Sequence, residues 1–172
     1  SRPQIVASVT VRFSGGSSDY AYVFLTNIAT KVDTVLFTAR TIVAGDTVPG
    51  FGLPAINPSV NLNPAATPII AGAPQWNELG ESSGECFSSG CGYTNWINAL
   101  YTFEEEGTFT LTFGVVNWDD NGFASGLAVA GIKIDNTVIV DPNLPPVPMP
   151  ASGLLLIGGL ALLGGLRRRM LR

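Results

Sequence analysis

Few residues in this 172-residue chain can do chemistry: thirteen carboxylates, two cysteines and no histidine. Without an imidazole there is neither a Ser-His-Asp nor a Cys-His arrangement to activate a nucleophile. The closest carboxylates are chain neighbours, in Glu104 to Glu106 and Asp119-Asp120, where turn residues are ordinarily just solvated. Glycoside hydrolysis needs two carboxyls about 5–9.5 Å apart across a cleft, and adjacency does not supply that. The chain is expected not to be an enzyme and to need no cofactor.

Cys86 and Cys91 lie in Gly84-Glu-Cys-Phe-Ser-Ser-Gly-Cys-Gly-Tyr93. In an oxidising compartment such a pair closes a small disulfide loop. Zinc would need further ligands, with no histidine and no second cysteine pair to provide them. The spacing is also not the Cys-x-x-Cys of redox catalysts. Glu78, Glu81 and Glu85 invite a calcium reading, but Ca²⁺ takes six to eight oxygens and no EF-hand-like spacing is present. No metal site is expected. Trp76, Trp96, Trp118 and Tyr93 carry another kind of chemistry, because an exposed ring stacks on the face of a sugar. Packing into the core is the commoner fate of such side chains.

Charge excludes one class of partner. Nine basic residues, four of them at the C-terminus, leave five against thirteen acidic ones, a net charge of −8 before that tail. Neutralising phosphates needs clustered Lys and Arg, so nucleic acid is set aside.

The elements that must position these residues read as β-structure. Only 13% of residues are charged, and Gly and Pro number 20 and 12, a composition of strands and turns rather than a helical bundle. In Gln4 to Phe13, Val9, Val11 and Phe13 alternate with Ser8, Thr10 and Arg12, a half-buried strand. Tyr20 to Ile28 alternates aromatic with aliphatic residues, so both faces can be buried and a central strand is expected. Lys31 to Val43 is one strand or a pair of short ones. From Val48 to Pro74, six prolines exclude a central strand. That segment is either a polyproline-like arm for a partner or, as connections usually run, a crossover over its own sheet. Thr94 to Phe103, Thr108 to Val116, Gly126 to Ile134 and Thr137 to Val140 complete the strands. Phe109, Leu111 and Phe113 should share one face, with threonines opposite.

The C-terminus is of another character. Ala151 to Leu166 carries no charge and then meets Arg167, Arg168, Arg169 and Arg172. Apolar residues without charge favour a helix in lipid, at the short end of the roughly 17–25 residues that span a bilayer. Arginines beside a span stay in the cytoplasm, which puts the acidic domain outside. The start at Ser1 is as expected once a signal peptide has been removed.

Before this run stands Val147-Pro148-Met149-Pro150-Ala151. Proline motif, apolar helix and basic tail, in that order, resemble the PEP-CTERM bacterial sorting signals in their Val-Pro-Leu-Pro-Ala variant, with Met149 at the usual Leu. The resemblance implies a Gram-negative bacterium, an exported protein and an exosortase that recognises the motif and processes the tail. The stretch from Gly107 to Ile134 resembles the exported choice-of-anchor domains paired with such tails. Gly107, Phe109, Thr110, Leu111, Phe113, Val116, Asn117, Asp120, Ser125, Leu127 and Ile132 carry that likeness. It implies a jelly-roll sandwich related to carbohydrate-binding modules. Ala124 and Ala130 replace acidic residues of the pattern, so no ligand residues carry over.

The expected architecture is all-β: an antiparallel jelly-roll-like β-sandwich over residues 1–140 with one C-terminal transmembrane helix. A Pro-rich linker spans 141–150, the helix 151–166 and a basic cytoplasmic tail 167–172. The expected function is non-catalytic: an accessory subunit, anchored in membrane lipid, whose periplasmic domain docks on membrane-protein partners, as in a respiratory or photosynthetic complex. The alternative is a sorted surface or biofilm-matrix protein that binds polysaccharide. Single-pass insertion in the inner membrane, with the C-terminus in the cytoplasm, follows for the first, and the cell surface for the second.

Overall fold

Strand β1 (Gln4–Phe13) is the axis of the structure, because both of its edges are paired. In this computed structural model residues 2–15, 18–118 and 122–140 are described, all within the unit Ser1–Pro142. The motif Val147–Ala151, the apolar run from Ala151 to Leu166 and the arginines Arg167, Arg168, Arg169 and Arg172 lie outside them. Among the described residues no helix is long and apolar enough to cross a membrane.

The remaining strands follow in chain order. They are β2 (Tyr20–Asn27), β3 (Asp33–Arg40), β4 (Asp46–Val48), β5 (Val60–Asn63), β6 (Thr67–Pro68) and β7 (Ile70–Ala71). After a short 3₁₀ helix (Asn77–Ser82) come β8 (Gly92–Tyr93), β9 (Ile97–Thr102), β10 (Phe109–Val116), β11 (Gly126–Ile134) and β12 (Thr137–Val140). All pairings are antiparallel. β11 flanks β1 on one side, with β12 beyond it. On the other side β9 takes the first half of β1 and β8 its end, and these pair with β5 and β7. A second sheet holds β10, β2 and β3, and a third pairs β4 with β6.

The core lies between the two larger sheets, a sandwich-like arrangement. Val9, Val11 and Phe13 from β1 meet Ala21, Val23 and Leu25 from β2, Phe37 and Ala39 from β3, and Ile97 from β9. Alternation dictates this, since successive side chains on a strand point to opposite faces. β2 is the middle strand of its sheet, as its composition suggested. Its aromatic face, however, is only half-buried, because among the described residues no layer covers that side. The alternation of β10 also reaches the core only in part. Phe109 and Leu111 are half-buried, but Phe113 is exposed, because β10 is the edge strand where the sheets part.

The proline-rich stretch is a crossover and not a free arm. It contributes β5 to the large sheet, and Gly50 and Asn57 donate to the backbone carbonyls of Thr38 and Val35. The strand expected from Thr94 to Phe103 is β9, but it starts only at Ile97. Thr94 takes over the edge of β1: its N–H donates to Val11 O, its hydroxyl accepts from Val11 N–H, and its carbonyl accepts from Thr10 Oγ1. This side-chain substitution interrupts the ladder between β8 and β9 and turns Asn95 and Trp96 outward.

Candidate functional site: an aromatic cleft on the large sheet

The break at Thr94 makes one wall of a cleft. Trp96, half-exposed at 50%, projects beside the outer face of the large sheet, where Thr10 and Ala128 form the floor. Tyr93 stands on the same face, because it pairs with Arg12, an outward residue of β1. Trp76 forms the opposite wall.

Trp76 is held from three directions. Its N–H donates to Ser83 Oγ, whose hydroxyl donates to Gln75 Oε1, and its carbonyl caps the 3₁₀ turn by accepting from Leu79 N–H. Its indole lies on β11 at Gly126, where any Cβ would stand 2.9 Å from the ring. The loop bearing Trp76 is fastened beneath by Arg12. That side chain is fully buried and donates to the carbonyls of Ala124 and Glu85. Burial lowers the Arg12 pKa from the ordinary arginine value, and the charge of Glu85 partly opposes this.

The cleft has a volume of about 540 Å³. Two indoles and a phenol give it apolar faces, and Gln75, Asn77, Asn95 and Glu78 line it with amide and carboxylate groups. A pyranose needs this combination, with ring faces for its C–H surfaces and paired donors and acceptors for its hydroxyls. Among the described residues no cationic side chain lines the cleft, and its one charged group is the Glu78 carboxylate.

No family model, curated protein or solved structure matches this chain. The functional reading rests on the side chains themselves.

Cys86 and Cys91 are joined by a disulfide, with Cα atoms 5.6 Å apart. The loop they close packs on the end of β1, where Phe87 N–H donates to Ser14 O. Glu78 reaches the cleft, Glu81 is exposed in the 3₁₀ turn and Glu85 lies beside Arg12, and no metal-holding cluster of three acidic or cysteine side chains forms among the described residues. Glu104 and Glu105 are not merely solvated: they accept from Ser59 Oγ and Asn27 Nδ2 and fasten their turn to the turn before β5 and to the end of β2. Asp119 and Asp120 lie outside the described residues. Trp76, Trp96 and Trp118 are all outside the core, contrary to the commoner fate of large aromatics.

Gln75, Asn77 and Asn95 carried no signal of their own, yet each is chain-adjacent to a tryptophan. A second cavity of about 690 Å³ opens where β10 parts from β11 and β12. Leu25, Phe103, Leu111, Phe113, Ile132 and Ile139 give it an apolar lining.

Proposed function

We propose that this chain is a non-catalytic, exported polysaccharide-binding protein, held at the membrane by its C-terminal apolar run and carrying a PEP-CTERM-type motif. In this reading the domain is a jelly-roll-like sandwich outside the inner membrane, and Arg167 to Arg172 remain in the cytoplasm. The observation that carries the binding role is the convergence of Trp76, Tyr93 and Trp96 with Gln75, Asn77 and Asn95 in one cleft. A wall of rings without cations favours neutral glycans over polyanions, and the acidic domain repels the latter.

The test is a glycan array probed with the full chain in detergent. Neutral polysaccharides should bind, and Trp96→Ala should weaken them about tenfold, the upper end of one ring-stacking contact. Binding confined to anionic glycans, or to none, would overturn the reading.

The apolar groove beside β10 supports a second reading. Phe113 and Ile139 are exposed there, and a protein partner would bury them. On that reading the domain docks as an accessory subunit on a bacterial membrane complex, such as a respiratory or photosynthetic one. Co-purification from solubilised membranes, lost in Phe113→Asp, is the corresponding test. A chain that runs alone would count against it.

A further inference from the structure

The outer face of the three-stranded sheet carries a row of rings that the cleft does not use. Tyr20, Tyr22 and Phe24 alternate along β2 with the core residues Ala21, Val23 and Leu25, so all three point away from the core. Trp118, 65% exposed just beyond β10, continues the row. Ring centroids are 6.1 Å apart from Trp118 to Tyr20, 6.3 Å from Tyr20 to Tyr22 and 5.3 Å from Tyr22 to Phe24. The last two rings are within 14° of parallel.

One glycine sets the posture of the row. Tyr22 pairs with Gly114 on β10, and a Cβ on Gly114 would collide with the phenol end of the Tyr22 ring. The ring therefore leans across the neighbouring strand over Gly114. Thr112 and Thr110 pair with Phe24 and Thr26 on the same face and supply hydroxyls beside the rings. Arg40 is engaged with Phe51 O and Ser18 Oγ.

We infer that this row is a second polysaccharide platform, on the face of the sandwich opposite the Trp76–Trp96 cleft, and that one chain thereby holds two glycan strands together. Rings at every second residue of β2, continued by Trp118 from just beyond β10, make an elongated aromatic track with hydroxyls alongside, which suits an extended, β-linked neutral chain. The platform stands on its own geometry, whereas the cross-linking rests also on the cleft's reading as a glycan site.

The experiment uses the full chain in detergent, a soluble β-linked glucan and a glucan hexasaccharide. Titration of the hexasaccharide should give two sites per chain, and the polymer should turn turbid as strands are bridged. Trp118→Ala with Tyr22→Leu keeps apolar packing but removes two rings. It should leave one site and abolish turbidity, with circular dichroism unchanged. Trp96→Ala should weaken the other site about tenfold and also reduce turbidity.

If the double variant keeps two sites and full turbidity, the platform is overturned. If it abolishes binding while Trp96→Ala changes nothing, the platform stands and the cleft reading falls, taking cross-linking with it. Absence of any binding by the unaltered chain overturns both. Should the double variant misfold, Trp118→Ala alone decides, since that side chain is mostly in water. An unchanged second site in Trp118→Ala would then count against the platform.

Discussion

Arg12 donates from a fully buried guanidinium to the backbone carbonyl of Glu85, and so ties the loop carrying Trp76 to the central strand. A second donation, to Ala124 O at 3.1 Å, binds the approach to β11 to the same post. Carbonyls left unsatisfied cost about 1–3 kcal/mol each. Glu85 is itself exposed and its carbonyl can be rehydrated, so Arg12→Ala should destabilise the fold by roughly 2–4 kcal/mol, read as a lower urea midpoint. It should also weaken glycan binding at the cleft more than at the opposite face.

Thr94→Val removes the hydroxyl that accepts from Val11 N–H, at a position only 1% exposed. The shape is retained but a buried donor is orphaned, at a cost of about 1–3 kcal/mol. Thr94→Ser should recover most of the loss. Equal midpoints for the two variants would show that the hydroxyl does not hold the strand break.

Gly126→Ala tests the wall of the cleft. Its Cβ would meet the Trp76 ring at 2.9 Å and Leu79 Cδ2 at 3.2 Å, so the indole must move outward. Overpacking of this kind costs about 1–3 kcal/mol. The expected signature is altered tryptophan fluorescence together with weaker binding, while the Cys86–Cys91 bridge remains intact.

Opening that bridge should have a modest effect. A loop this short constrains the denatured chain little, so Cys86→Ser is expected to cost about 2 kcal/mol. Thermal unfolding with and without reductant measures this directly. The core strands lie elsewhere, so unfolding should stay cooperative.

Binding itself should respond weakly to salt. Ring stacking and neutral hydrogen bonds are not screened as ion pairs are. Affinity should stay level between low and high ionic strength. A steep fall would point to recognition through charge, for which the described lining offers only the Glu78 carboxylate.

Alternation made the core legible from sequence: Val9, Val11 and Phe13 face inward as their spacing requires. The same rule could not tell which side of β2 meets water. The rings of Tyr22 and Phe24 offer apolar surface to a core as Val23 and Leu25 do, and only the arrangement of layers decides between the two faces. Arg12 misleads for a related reason. A polar residue on an alternating strand reads as exposed, until a loop more than 70 residues later in the chain covers it. The cleft was visible as a list of aromatics but not as a place. Trp76 and Trp96 come from segments that meet only because Thr94 breaks one strand and Gly126 leaves space on another.

The pairing of β1 has a consequence for the order in which the chain can fold. β1, the first of the described strands, needs partners made much later: Ile5 sits opposite Ile134 of β11, and Gln4 opposite Thr102 of β9. No shorter nascent chain can satisfy both edges of β1, and closing loops of this length is slow. Until β11 is available, Val9, Val11 and Phe13 have no complete shelter from water.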